Sequence, residues 1–179
     1  MKRWLVFLLA VVIFAVVHEG VHAIIAMFYG EYHAFRIGPL GPEVQFRTPV
    51  GEREGIHWAF ISGASNLATT LIGYLLLLFG DRLACLRSWS LRATSFYLTL
   101  IFLLSDPLNL SIGPFIYGGD ADGIAVGLGI NRLFIQIVFL FVFLVNRELI
   151  VQKLFPTYEV QIKHVLFQPL IPWVRRTKD

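Results

Sequence analysis

The stretch FAVVHEGVHAIIAMFYG, residues 14–30, places two histidines and a glutamate inside a run of apolar side chains. Ionisable side chains near the centre of a membrane helix cost roughly 2.5 to 3.5 kcal/mol each on insertion scales, and they usually mark a functional site. His18, Glu19 and His22 therefore need a shared reason to lie in this run.

The composition of the whole chain predicts a membrane protein. Of its 179 residues, 56% are hydrophobic and 15% are charged, and the mean hydropathy is +0.69. A helix that crosses a bilayer needs about 20 apolar residues. We therefore predict an all-α integral membrane protein that crosses a cell membrane several times. About four apolar segments carry this prediction: Trp4 to Phe28, Trp58 to Phe79, Ala93 to about Ile112, and Leu133 to Val145 with its flanks.

The first apolar run also has to be distinguished from a cleaved signal peptide. Lys2 and Arg3 precede it, as in a signal, but the run continues to Phe28. Signal peptides have an apolar region of about 7 to 15 residues. The length therefore favours a retained membrane helix.

The segment between the first two apolar runs predicts a β-hairpin. Tyr32 to Ile37 and Glu43 to Thr48 are short β-prone runs on either side of the breaker GPLGP. Lipid cannot satisfy the polar groups of a strand edge, so we expect the hairpin at the membrane interface or against the helices.

A second irregular stretch follows the third apolar run. It reads SDPLNLSIGPFIYGGDADG, and its prolines and glycines predict broken backbone from Pro107 onward. Such backbone is tolerated at membrane depth only where it is buried in protein or lines a wet cavity. We divide the chain into a transmembrane core, residues 1–150, and an interfacial amphipathic tail, residues 151–179.

Cysteine content and charge exclude several classes of protein. The single cysteine, Cys85, excludes an internal disulfide and a cysteine-rich metal site. The sequence pI is near 9.2, but the basic residues are dispersed around the apolar segments without an aromatic-basic stripe. Contact with the lipid bilayer explains these charges better than nucleic acid does.

The pattern His18-Glu19-Gly20-Val21-His22 predicts a metal site. Residues four apart on a helix share a face, so both imidazoles can present a nitrogen to one ion. Neutral imidazoles bind Zn²⁺ without cancelling its charge, and the ion can then lower the pKa of a bound water toward about 7. Glu19 is placed to act as the general base. We therefore expect one zinc ion held by His18, His22 and a carboxylate.

These residues resemble the site-2 protease family, membrane-embedded zinc metalloproteases that cleave transmembrane substrates. In that family a His-Glu-x-x-His helix is followed two helices later by an Asn-x-x-Pro…Asp-Gly element that supplies the third ligand. The corresponding stretch here is NLSIGPFIYGGDADG, in which the Asn-to-Pro spacing is longer than the family's. The resemblance implies that Asp120 or Asp122 is a metal ligand. We favour Asp120, because it follows two flexible glycines while Asp122 would cap a helix that begins near Ile124.

Three further polar residues are candidates for the site. Asp106 is read as a hydrogen-bond partner for backbone freed by Pro107 rather than as a metal ligand. The resemblance implies that Asn109 binds the substrate backbone, with hydrogen bonding to carbonyls at a helix break as the alternative. Asn66, in FISGASNLATT, is a second substrate-binding candidate, whereas Ser62 and Gly63 are read as packing residues.

The expected function is that of an intramembrane zinc endopeptidase acting on a transmembrane or membrane-anchored protein. The alternatives are an inactive or non-proteolytic membrane metal-binding protein and a small ion transporter. Glu19 argues against the first alternative, and the lack of inverted repeats in the sequence argues against the second. The distribution of Lys and Arg places the site near the outer membrane face, whereas the resemblance implies a site nearer the cytosol. The sequence does not determine the oligomeric state.

Overall fold

The computed structural model describes residues 2–38, 41–116 and 119–171, and this part of the chain is mostly helical. The main helices are α1 (Lys2–Phe28), α2 (His57–Leu78), α3 (Gly80–Ala84), α4 (Trp89–Ser111), α5 (Gly119–Leu128) and α6 (Arg132–Leu149). Within the described residues, four helical stretches are long and apolar enough to cross a membrane: Arg3–Phe28, His57–Leu78, Trp89–Phe115 and Arg132–Thr157. Each overlaps one of the apolar segments read from the sequence, so the helical class and these four helices are confirmed.

The predicted β-hairpin is confirmed between α1 and α2. Strands β1 (Tyr32–Gly38) and β2 (Gly41–Phe46) pair antiparallel, with Phe35 opposite Val44. The hairpin lies against the helices: β2 contacts α1, and the Phe46 ring packs edge-on against Trp58 with centroids 5.6 Å apart. The short runs around GPLGP are thus close in sequence and paired in space.

Helix α2 packs against α1, α4 and α5. Its approach to α5 is unusually close at two glycines. A Cβ atom on Gly127 would lie 2.1 Å from the backbone nitrogen of Ala59, and one on Gly123 would lie 1.9 Å from Ser62 Oγ. Any larger residue would push the helices apart. This small-residue contact brings the first turn of α5 against the middle of α2.

Helix α4 continues through Pro107 and ends at Ser111, so the prediction of broken backbone from Pro107 onward is wrong at its start. A proline inside a helix cannot donate to the carbonyl four residues earlier, here that of Leu103. The Nδ2 group of Asn146 on α6 donates to that carbonyl at 2.7 Å, and Tyr74 donates its hydroxyl to Asn146 Oδ1 at 2.5 Å. This buried network replaces the lost bond, and regular α-helix ends only before the turn Gly113–Phe115.

The fourth apolar helix is longer than the sequence indicated. Beyond Leu149 it continues through a wider π turn, Ile150–Leu154, and a last turn, Phe155–Thr157. Ile150 and Leu154 pack in a buried cluster with Leu103. The segment after Thr157 folds back against α6, where Glu148 accepts a hydrogen bond from the backbone nitrogen of Leu170 at 3.0 Å. The final residues of the predicted tail, 172–179, lie outside the described residues.

Candidate metal centre

Helix α1 presents His18 and His22 side by side. They lie four residues apart, and their Nε2 atoms are 3.1 Å from each other. Both side chains are buried, with 7% and 4% of their surface exposed. The spacing on one helix face therefore produces the paired imidazoles that the sequence predicts.

The other nitrogen of each ring is anchored by a neighbouring helix. His22 Nδ1 lies 2.7 Å from the carbonyl oxygen of Ile61 on α2, and His18 Nδ1 lies 3.0 Å from Asp106 Oδ1 on α4. A carbonyl oxygen only accepts, so the proton of this bond is on His22 Nδ1. In the neutral rings His22 Nε2 is then an acceptor, and His18 Nε2 is one as well when the proton of that ring faces the Asp106 carboxylate. Anchored rings of this kind are typical of metal-ligating histidines.

Asp120 completes the cluster from the first turn of α5. Its Oδ1 is 3.3 Å from His22 Nε2, and its Oδ2 is 3.5 Å from His18 Nε2. Asn66 donates its Nδ2 to the same carboxylate at 3.0 Å. The close contact of α5 with α2 thus brings together residues that are 98 positions apart in the chain.

Asp122 points elsewhere. Its Oδ1 lies 3.0 Å from Arg132 Nη1, outside the group formed by the two histidines and Asp120. The expectation that α5 begins near Ile124 with Asp122 as its cap is wrong, because α5 begins at Gly119. Both aspartates lie in its first turn. Side chains two positions apart on a helix point in directions that differ by about 200° around its axis. Only one of them can face the histidines.

The geometry of the three side chains fits a small cation. Their ligand atoms all lie within 4.8 Å of one another. Zinc bonds of about 2.0 to 2.2 Å at tetrahedral angles place ligand atoms roughly 3.3 to 3.5 Å apart, close to the distances given above. Three converging acceptors repel one another unless a cation lies between them or one ring nitrogen carries a proton. The Ser65 hydroxyl also lies 2.8 Å from His22 Nε2, so it competes with a cation for this nitrogen.

Glu19 lies beside this cluster and faces the hairpin. Its Oε2 accepts the backbone N–H of Val44 at 2.9 Å. Val44 is on β2, and because its N–H bonds Glu19, this group is on the edge of the strand that does not pair with β1. The glutamate therefore shares the wall of one cavity with His18, His22 and Asp120 and bonds the free edge of the hairpin.

A cavity of about 890 Å³ connects these groups. It lies between α1, the hairpin, α4 and the start of α5, and its wall includes His18, Glu19, His22 and Asp120. Asn109 also lines it, which is where a substrate-binding residue would have to be. Asn66 is buried behind Asp120, to which it donates, and is not part of this wall.

Asp106 has a different role from the one read from the sequence. It is 1% exposed, and its carboxylate contacts His18 Nδ1 and the hydroxyl of Thr69. The expected bond to backbone freed by Pro107 is made by Asn146 instead. Nothing in the local sequence distinguishes these two assignments, because both partners of Asp106 come from other helices.

Arg53 is a cavity residue that no sequence pattern indicated. It lies in the loop before α2 and lines the cavity, with its guanidinium 4.4 Å from the centre of the Trp58 ring. Burial lowers the pKa of this guanidinium, and the negative charges of Asp120, Glu31 and Asp122 oppose that shift. Arginine remains a cation under these conditions.

No family model matches the chain, and neither a curated protein nor a solved structure matches it. Fold and site define a helical protein that has four helices of membrane-spanning length among its described residues and a buried cluster of His18, His22 and Asp120 next to a cavity.

Proposed function

We propose that this chain is an intramembrane zinc endopeptidase. One observation carries the proposal: the Nε2 atoms of His18 and His22 and the carboxylate of Asp120 converge beside Glu19 at the wall of a cavity of about 890 Å³. A carboxylate next to a three-ligand metal site with an open position is the arrangement that metal-assisted peptide hydrolysis requires.

The outward surfaces of the helices support a location inside a cell membrane. Large apolar side chains are exposed along them, for example Leu75 at 54% on α2 and Phe141 at 69% on α6. Water would disfavour so much exposed apolar surface, whereas lipid chains would accept it. The proposed protein is therefore a multi-pass membrane protein with its cluster inside the bundle.

In the proposed site His18, His22 and Asp120 would hold one zinc ion. The ion would supply a Lewis acid that polarises the scissile carbonyl and lowers the pKa of water. Glu19 would take the proton of the attacking water on its carboxylate and then deliver it to the leaving amine nitrogen. Asp106 and the Ile61 carbonyl would keep each histidine turned with Nε2 toward the ion.

The hairpin would present the substrate. The Val44 N–H is on the free edge of β2 and is bonded to Glu19 in this structure. An extended substrate could add to that edge through its own carbonyl, and Glu19 would then be released beside the cluster. The proposed partner is thus a transmembrane or membrane-anchored protein that unwinds locally as it enters.

The same residues are the ones that resemble site-2 proteases, and we propose membership of that family. The His-Glu-x-x-His pattern is complete, and Asp120 is the aspartate that meets it. Asn109 would contact the substrate backbone as the resemblance implies, since it lines the cavity. Asn66 would act indirectly, by holding the Asp120 carboxylate.

The proposal is tested by cleavage in a reconstituted membrane. The zinc-loaded protein is incubated in vesicles with a set of synthetic transmembrane peptides, and the products are identified by mass spectrometry. We expect peptide-bond cleavage that a chelator stops and zinc restores. Glu19→Gln should lower the rate by about 10² to 10⁴ because the general base is lost. Glu54→Gln, an exposed glutamate before α2, should retain it. Zinc-independent cleavage, or full activity of Glu19→Gln, would refute the proposal.

A further inference from the structure

Arg53 is the only Lys or Arg among the described residues that line the cavity. The other charged lining groups are acidic and include Glu19 and Asp120. A half-buried guanidinium in such a wall is costly to maintain unless it has a partner. The contacts of Arg53 show which atoms of its guanidinium already have a partner.

Two aromatic rings fix the direction of Arg53. Its guanidinium carbon lies 4.4 Å from the Trp58 ring centre and 5.1 Å from that of Phe46. Its Nε donates to the Thr48 carbonyl at 3.4 Å, a long hydrogen bond. Among the described residues, no acceptor forms a hydrogen bond or close ion pair with either terminal nitrogen. The fork of N–H groups is therefore held in place and available.

The acids around Arg53 do not use that fork. Asp120, Glu31 and Asp122 act on its charge from a distance, while their carboxylates are bonded elsewhere. Asp120 is at the histidines, Glu31 accepts from Thr48 N, and Asp122 pairs with Arg132. A planar guanidinium fork matches a carboxylate, which it binds through two parallel hydrogen bonds.

We propose that Arg53 is a specificity subsite that binds an acidic side chain of the substrate. This inference rests on the proposed function. It adds a class of sequence that the protease would select: a membrane segment with Asp or Glu near the bond that is cut. The acidic residue would bind through the two terminal N–H groups of the guanidinium, since the rings contact its carbon and its Nε is bonded to Thr48.

The hairpin fixes the distance between the subsite and the scissile bond. Val44 contacts Glu19, and Phe46, two residues further along β2, contacts Arg53. A strand rises by about 3.3 Å per residue, so the two contacts are roughly 7 Å apart along its edge. A substrate paired to that edge would carry its acidic residue about two or three residues from the scissile bond.

The test uses pairs of synthetic transmembrane peptides in zwitterionic vesicles. Both ends are capped, and the members of a pair differ only in having Asp or Asn at one position, which is moved along the segment. For the full-length zinc-loaded protein we expect kcat/KM about tenfold or more higher for Asp than for Asn at positions two or three residues from the cut. Since the Asp side chain is the only carboxylate, a preference cannot come from a peptide terminus or an anionic lipid.

Substitutions of Arg53 then locate the preference. Arg53→Gln should bring the Asp/Asn ratio close to one, and Arg53→Lys should leave part of it. Arg36→Gln, an exposed arginine on β1, should keep the wild-type ratio. Because the ratio is taken within each variant, a general loss of folded protein cancels. Equal rates for Asp and Asn in the wild type, or a full preference in Arg53→Gln, would overturn the subsite.

A binding measurement separates this inference from the proposed function. The Kd of each peptide is measured by fluorescence anisotropy on zinc-treated Glu19→Gln protein. Tighter binding of Asp peptides that depends on Arg53, without cleavage by the wild type, would keep the subsite and refute the protease. Cleavage without any Asp preference would keep the protease and refute the subsite. Neither binding preference nor cleavage would refute both.

Discussion

At the scale of single residues, the candidate centre depends on how its two imidazoles are held. His22 is fixed by a backbone carbonyl, which no substitution of Ile61 removes. His18 is fixed by the side chain of Asp106, whose second oxygen accepts from Thr69. A buried carboxylate in an apolar helix is costly to maintain. Because the Asp106 contact is made by a side chain, a single substitution can remove it and its effect on the site can be measured.

Replacing Asp106 with asparagine should weaken zinc binding by about tenfold to 100-fold, the usual effect of losing a carboxylate partner of a ligating histidine. The isosteric change removes the charge that orients His18 and leaves the volume unchanged. Zinc affinity is measured by competition with a chelator. Asp81→Asn, a change at an exposed residue on α3, serves as control. Equal affinities of the wild type and Asp106→Asn would show that Asp106 has no role in the site.

The sequence predicts the pairing of His18 and His22 on one helix, but not the contacts that these residues make with other helices. His18 and His22 are on one helix face because helical geometry decides it within five residues. The choice between Asp120 and Asp122 depends on how α5 is rotated against α2, which is a property of their packing. The partners of Asp106 and Arg53 lie on other elements, so their roles follow only from the assembled fold.

At the scale of elements, the contact between α5 and α2 places Asp120 beside the two histidines. Gly123 and Gly127 allow the two backbones to touch, and the same contact sets Asp120 beside Asn66. The sequence shows the glycines, but their partner helix is more than fifty residues earlier in the chain. The site residues on α1 and α5 therefore depend on a helix that supplies none of the three proposed ligands.

Gly127→Ala should displace α5 and lower the zinc content. The added Cβ would lie 2.1 Å from the backbone nitrogen of Ala59, so the helices must separate, and overpacking of this kind costs about 1–3 kcal/mol. Gly63→Ala, in the same interface, is a matched control because its Cβ would lie 3.5 Å from Ile124, an ordinary contact. Both zinc content and thermal stability are measured. Equal values for the two variants would contradict this account of the interface.

The hairpin carries a prediction of its own. Val44→Pro removes the N–H that bonds Glu19, so peptide cleavage should fall while zinc binding remains. Val44→Ala keeps the N–H and shortens the side chain, and it should retain more activity than the proline variant. Cleavage rates and zinc content are compared for both. Unchanged cleavage by Val44→Pro would show that the free edge of β2 does not take part.

At the scale of the whole molecule, the four long helices follow from composition, because a run of about 20 apolar residues allows few other structures. Two features of these helices differ from the prediction. α4 continues through Pro107 because Asn146 bonds the freed carbonyl, and the last long helix reaches Thr157 through a π turn. The first difference comes from a side chain of another helix.

If these helices cross a membrane, the expressed protein should stay in the membrane pellet after an alkaline carbonate wash and enter solution only with detergent. The exposed apolar faces of α2 and α6 would otherwise contact water. The distribution between pellet and supernatant is measured by immunoblot. Release by carbonate alone would contradict the membrane assignment.

The most direct test of the central claim is the zinc content per chain of the detergent-purified protein, with Asp120→Ala and Asp122→Ala alongside the wild type. We expect close to one zinc in the wild type and in Asp122→Ala, whose side chain pairs with Arg132. We expect almost none in Asp120→Ala, because its carboxylate lies 3.3 Å from His22 Nε2. A wild type that holds no zinc even after reconstitution, or zinc that is lost with Asp122 and kept without Asp120, would contradict the proposed centre.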